Sequence, residues 1–151
     1  MDQIFHSQRY DPVDSGAFVR DLVFVILPFS SDMNEPFSVI REECGKLGLT
    51  TRRADDAVGS GIILQEIVEL IENAEFIICD LTHERPNVYY ELGYAHGIGN
   101  ESADILLIAR DETVLHFDIA PLRVRYYKTI DDLREIIAIN LPAMVDRSRK
   151  K

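Results

Sequence analysis

Hydrophobic residues along the chain fall into two alternating patterns. Short uninterrupted apolar runs stand at 22–27 (Leu-Val-Phe-Val-Ile-Leu), 76–79 (Phe-Ile-Ile-Cys) and 105–109 (Ile-Leu-Leu-Ile-Ala), and a shorter strand, Leu-Thr-Thr-Arg-Arg-Ala at 49–54, and a weaker one at 124–127 are read beside them. Runs this short and rich in β-branched residues predict strands of a parallel sheet buried on both faces, with 124–127 at an edge. Between them apolar residues recur at helical spacing. They are Phe37, Val39, Ile40 and Cys44, then Ile63, Ile67, Leu70, Ile71 and Ala74, then Val88, Leu92, Ala95 and Gly99. A last helix is predicted over 130–140, ending before Pro142, and the Gly45/Gly48 pair reads as a helix terminator.

Strand and helix thus alternate five times, with no internal repeat. This predicts an α/β fold: a five-stranded parallel sheet with right-handed crossovers, helices on both faces, and a flavodoxin/Rossmann-like order 2-1-3-4-5. We read 1–20 as an N-terminal arm, 21–142 as a single α/β domain, and 143–151 as a basic, solvated tail.

Composition narrows the partners. Hydrophobic residues at 46% and charged residues at 28% are ordinary globular values. The net charge of -10 argues against nucleic acid as the main partner, because a phosphate backbone calls for a positive field. Two cysteines, Cys44 and Cys79, read as free thiols in a reducing compartment. No window reaches the length of a membrane span, and the polar N-terminus is no signal peptide, so a cytoplasmic protein is expected. Four scattered histidines show no metal spacing. No metal and no cofactor are predicted.

The chemistry concentrates in residues 79–95, where a strand end, a short loop and the first turns of a helix follow one another. Asp80 stands where the strand leaves the sheet, at the carboxyl edge where open α/β folds bind ligands. Asn87, after Pro86, is expected to be the N-cap of the next helix. Val88, Leu92, Ala95 and Gly99 lie within about 40° of one another and make its buried stripe, and Glu91 lies roughly 60° from Val88, on the stripe's flank. Gly93 costs helix stability and is explained by close approach of a neighbouring backbone or a ligand. The predicted topology gathers Ser30, Ser31, Asp55, Gly59, Asp80, Glu91 and Arg110 at the same edge. Ser30 and Ser31 offer hydroxyls, and Gly59-Ser60-Gly61 offers backbone N–H groups at a helix N-terminus, a plausible phosphate site. Arg52 and Arg53 alternate in facing, so one at most reaches the cleft, and Arg110 is a comparable cation. Of the neighbouring aromatics, Tyr90 is expected to face outward, and Tyr89 and Tyr94 to serve packing or a subunit contact. His96 is read as structural.

Asp80-Leu81-Thr82, Pro86-Asn87-Val88 and Tyr90-Glu91-Leu92-Gly93-Tyr94-Ala95 together resemble the signature of the nucleoside 2-deoxyribosyltransferase-like superfamily. The first strand, ending Leu27-Pro28-Phe29, is similar to its TIR-like nucleotide-binding branch. The resemblance covers about residues 22–128. It implies that Glu91 attacks the anomeric carbon of a nucleoside and that Asp80 protonates or orients the leaving base. Physically, breaking an N-glycosidic bond develops positive charge at C1′, which a carboxylate stabilises and then captures. A second carboxylic acid serves the leaving group, and a base already cationic needs none. The first strand departs from the deoxyribosyltransferases: Phe24 is its nearest aromatic, where they carry a tyrosine. Pro28-Phe29-Ser30-Ser31 replaces their glycine-rich loop, which favours hydrolysis or binding of a nucleotide over transfer.

The expected function is therefore cleavage or transfer of an N-glycosidic bond on a nucleoside, nucleotide or NAD-like small molecule. Pro28, Phe29, Ser30, Ser31, Asp55, Gly59, Ser60, Gly61, Asn87 and Arg110 are the expected binding residues, and a homo-oligomer is expected to complete the pocket. The competing reading is a catalytically silent, TIR-like nucleotide-sensing or scaffolding module. A phosphoacceptor domain built on Asp55, Asp56 and Asp80 is a third, which leaves Asn87, Glu91 and Gly93 unexplained.

Overall fold

Apolar runs too continuous to face water on either side become the centre of a sheet. A computed structural model describes residues 18–54, 61–98, 104–115 and 123–150. In chain order it comprises β1 (Val19–Ile26), a single 3-10 turn (Ser31–Met33), α1 (Asn34–Lys46), β2 (Thr50–Arg53), α2 (Gly61–Asn73) and β3 (Ala74–Asp80). A second 3-10 turn (Thr82–Glu84), α3 (Pro86–Gly97), β4 (Ile105–Arg110), β5 (Val124–Tyr127) and α4 (Ile130–Arg149) follow. The strands pair in the order β2-β1-β3-β4-β5, and every pair is parallel. The predicted topology is thus the observed one, and β3 is buried at every position.

Alternation along the central strands divides the core in two. Val23, Val25, Phe76, Ile78 and Ile108 point to one face, where Ile40 and Cys44 of α1 and Leu133 and Ile137 of α4 cover them. Phe24, Ile26, Ile77, Cys79 and Leu107 point to the other, against Ile71 of α2 and Val88, Leu92 and Ala95 of α3. Because β1 sends its chain to one face and β3 to the other, their loops diverge at the carboxyl edge. That divergence is the switch point where such sheets form a crevice.

Gly48, at φ +76, closes α1 in a Schellman motif: its N–H reaches the Gly45 carbonyl (3.1 Å) and the Leu49 N–H reaches that of Cys44 (3.0 Å). α4 opens with a capping box between Thr129 and Asp132. It does not stop before Pro142 but runs through it, because its buried stripe of Leu133, Ile137 and Leu141 continues to Met144. Residues 147–150, expected to be solvated, include the last turn of this helix. There Ser148 and Arg149 donate to the buried Glu75 at the start of β3, and Arg149 also pairs with Asp21 of β1. Burial pushes the Glu75 carboxyl up, and donors from Arg149, Ser148 and the Asp21 N–H outweigh it, so Glu75 sits below the ordinary range. Cys44 and Cys79 are buried free thiols, and among the described residues no helix is long and apolar enough to cross a membrane.

Candidate active site

Asp80, the last residue of β3, is 1% exposed, and both its oxygens are occupied. Oδ1 accepts from the Thr82 N–H (2.9 Å) and the Thr82 hydroxyl (2.6 Å), and Oδ2 accepts from the Tyr127 hydroxyl (2.7 Å). Thr82 Oγ1 in turn accepts the Arg110 N–H (2.9 Å), so one carboxylate ties together the ends of β3, β4 and β5. Burial pushes its pKa up against the pull of those donors. Three donors from within the protein engage it, two on Oδ1 and one on Oδ2.

A second hub bridges the switch point. Asp32, in the turn after β1, accepts from Ser30, meets His83 Nε2 at 2.7 Å and holds Arg110 Nη1 at 2.8 Å. Arg110 Nη2 also donates to the Asp32 carbonyl (2.9 Å). Hydrogen bonds from Ser30, His83 and Arg110 hold the Asp32 carboxyl well below the usual range. His83 and Glu84 reach this arrangement through left-handed backbone, at φ 68 and 47. Such conformations cost on the order of 1–3 kcal/mol each and persist only where surrounding contacts hold them. Here the His83–Asp32 bond and a hydrogen bond from the Tyr89 hydroxyl to Glu84 (3.0 Å) do so.

Glu91 occupies a different position. α3 begins with Pro86 at its first turn, where a missing N–H is harmless. The residue at the N-cap position is therefore Arg85, which makes no side-chain cap, and not Asn87 as expected. Asn87 lies inside the first turn, and its side chain hydrogen-bonds the Glu91 carboxyl one turn on. Val88, Leu92 and Ala95 form the predicted stripe, and Glu91 on its flank is only 6% exposed. It lines a cleft at the carboxyl ends of β1 and β2, with Ile26, Leu27 and Ala54 as apolar wall and Phe29 and Arg53 beside them. Burial pushes the Glu91 carboxyl up to about 7, with the Asn87 bond opposing. Burial raises the pKa of the Cys79 thiol, and the charges of Asp80 and Glu91 add to it, so both carboxylates lie near that residue.

The expected residues thus divide. Glu91, Phe29 and Asn87 share the cleft region, whereas Ser30 and Arg110 belong to the Asp32 hub. Pro28 is buried, and Ser31 is exposed at the start of its turn. Gly61 opens α2. Asp55, Asp56, Gly59, Ser60 and Gly99 lie outside the described residues. Of the arginine pair it is Arg53 that lines the cleft, while Arg52 is exposed. Tyr90 faces outward, and Tyr94 donates to Glu72 (2.6 Å). Gly93 is exposed, and a Cβ there would meet nothing within 4 Å, so close approach of a neighbouring backbone does not explain it. Sequence reasoning missed Thr82, Tyr127, Asp32 and His83 as site-building residues. Only Thr82 had a local signal, as the second residue after an aspartate that accepts its N–H. Among the described residues no group of three His, Cys, Asp or Glu side chains could hold a metal ion.

No protein-family model matches the sequence, nor does any curated protein. Solved structures do share the fold. A CMP N-glycosidase, BcmB, from Clostridium botulinum superposes with a TM-score of 0.59 at 15% identity, covering 76% of this chain and 96% of its own. A flavoprotein from Thermotoga maritima superposes at 0.61 and 14% identity, over 87% of this chain and 38% of its own. The constitutive lysine decarboxylase of E. coli does so at 0.52 and 11%, over 85% and 18%.

Proposed function

We propose that this chain belongs to the nucleoside 2-deoxyribosyltransferase-like superfamily and cleaves or transfers the N-glycosidic bond of a nucleoside, nucleotide or NAD-like substrate. The observation that carries the proposal is Glu91: a nearly buried carboxylate, steadied by Asn87, facing a cleft with an apolar wall and an exposed aromatic, Phe29. Such a group is poorly solvated, so positive charge developing at an anomeric carbon is stabilised strongly beside it. The likeness to a CMP N-glycosidase over nearly that enzyme's whole length supports the same reading.

In this scheme the Glu91 carboxylate bonds to C1′ as the C1′–N bond breaks, and the electron pair leaves with the base. Water then attacks C1′ and the C1′–O bond to Glu91 breaks; the hydroxyl stays on C1′, and the water proton goes to a base that left as an anion or, where the base left neutral, to solvent. A second base in place of water gives transfer. Asp80 is the remaining carboxyl of the pair. With both oxygens engaged by Thr82 and Tyr127, its part is to hold the ends of β3, β4 and β5 in register, and this favours a leaving group that needs no acid, such as a cationic nicotinamide.

The same engagement of Asp80 favours a second reading, a nucleotide-binding module without turnover. One assay separates them. The protein and its Glu91→Gln variant are incubated with deoxynucleosides, nucleoside monophosphates and NAD, and released base is followed by chromatography. Release that disappears in Glu91→Gln supports the enzyme; tight binding with no release from any substrate refutes it.

A further inference from the structure

We propose that His83 is a pH-sensitive latch on the Glu91 site: its bond to Asp32 holds the turn that leads into α3, and the hold slackens as His83 loses its proton. The inference deepens the N-glycosidase reading by adding regulation of the same site, and its test reads the turn itself.

The two ends of the latch are unlike. Asp32 is anchored to the sheet, since Arg110 at the end of β4 donates from Nη1 to its carboxylate (2.8 Å) and from Nη2 to its carbonyl (2.9 Å). His83 belongs to the turn Thr82–Glu84, where it and Glu84 stand in left-handed backbone, at φ 68 and 47. Such backbone persists only while its contacts hold it. Behind His83 the turn is fixed by Thr82, which is buried and bound to Asp80. Ahead of it the chain enters α3 at Pro86, and Asn87 in the first turn bonds the Glu91 carboxyl. The contact of His83 Nε2 with Asp32 Oδ2, at 2.7 Å, thus joins the loop after β1 to the segment between β3 and Glu91. That same β1 loop carries Phe29 to the cleft. The His83 and Asp32 side chains are 35% and 41% exposed, so water competes for the bond and a change of charge can shift it.

Histidine ordinarily changes charge between about pH 5 and 8. Asp32 stays ionised across that range, because Ser30, His83 and Arg110 hold its carboxyl well below the usual one. The Arg110 guanidinium stays charged as well. A protonated His83 makes a charge-assisted bond to Asp32; a neutral one keeps an N–H donor and loses the ionic attraction. Glu84 accepts from Tyr89, and burial pushes the Tyr89 and Tyr127 hydroxyls up, away from this range. Asp80, raised by burial, acts with the opposite sign: on ionising it accepts more strongly from Thr82 and tightens the turn as pH climbs. Glu91, pushed up to about 7 by burial, is separated by a His83 variant that leaves it in place.

The test is amide hydrogen exchange by NMR on the full-length chain from pH 5 to pH 8, as protection factors corrected for intrinsic exchange. The reporter is the Glu84 N–H, which donates to the Leu81 carbonyl (3.0 Å). Wild type, His83→Asn and Asp32→Asn are compared; asparagine tolerates left-handed backbone and does not titrate. Wild-type protection is expected to fall by about 2- to 5-fold over this range, the scale of an exposed ion pair. Neither variant should show that fall. The proposal is overturned if wild-type protection does not fall, or if the fall persists in folded His83→Asn or Asp32→Asn. It is equally overturned, with no variant needed, if the ring nitrogens of His83 titrate at a different midpoint from the protection. A His83-dependent fall without base release from any substrate would keep the latch and remove the glycosidase reading. Base release beside unchanging protection would do the reverse.

Discussion

Replacing Glu91 by glutamine should stabilise the protein, and the gain should grow with pH. Burial raises the Glu91 carboxyl from its ordinary 4.5 to about 7. The folded state therefore holds a proton that the unfolded chain has already released between those values. A raised carboxyl weakens the fold progressively as pH climbs from the unfolded pKa to the folded one, and the penalty is constant above it. Each pH unit of separation is worth about 1.4 kcal/mol, so an ionised Glu91 costs about 3 kcal/mol at pH 8 and less than about 1 kcal/mol at pH 5. Glutamine keeps the size of the side chain and a hydrogen bond to Asn87 while removing the charge. Urea unfolding of both proteins at pH 5 and pH 8 should show Glu91→Gln ahead at pH 8, by up to about 3 kcal/mol, with the gap nearly closed at pH 5. A gap that does not widen with pH would refute the desolvation of Glu91. So would a variant less stable than the wild type at pH 8.

Other expectations follow from the same geometry. If Glu91 is the nucleophile it must be ionised in the free protein, so kcat/KM for base release should rise as pH passes through about 7. A profile that falls there would make Glu91 an acid instead. Tyr127→Phe removes the donor to Asp80 Oδ2 and should cost about 1–3 kcal/mol in urea unfolding; an unchanged midpoint would show that bond to be idle. Gly93→Ala should stabilise α3 by roughly 0.5–1 kcal/mol, since a Cβ there has open space and the backbone is helical. Gly48→Ala, at φ +76, should move thermal stability in the opposite direction, and two shifts of the same sign would contradict the backbone account.

What could be read from the chain was whatever its physics makes local. The run Phe76-Ile77-Ile78-Cys79 has no polar position to give to water, so it had to lie inside a sheet covered on both faces. The stripe of Val88, Leu92 and Ala95 then placed Glu91 beside the core, because helical geometry is rigid. Bonds between distant residues leave no such mark. Tyr127 meets Asp80 across 47 residues, and His83 meets Asp32 across 51. Nothing near either residue signals its partner. Two local inferences failed because a stronger preference prevailed. Pro86 took the first helical position and moved Asn87 inside the helix, where its amide serves Glu91. At Pro142 a continuing apolar stripe held α4 together through a residue that usually ends a helix.

The contact of Arg149 with Glu75 has a consequence for synthesis. The two residues are 74 positions apart. On a ribosome the sheet can begin to assemble once β3 and β4 have emerged, yet Glu75 then lies at its amino edge without its counter-charge. An uncompensated buried carboxylate opposes the packing around it, so the join between β1 and β3 lacks its counter-charge until residue 149 is in place. Domains generally fold as units during translation. In this one, the counter-charge for Glu75 comes from a residue 74 positions downstream, so a chain lacking residue 149 would carry that carboxylate without it.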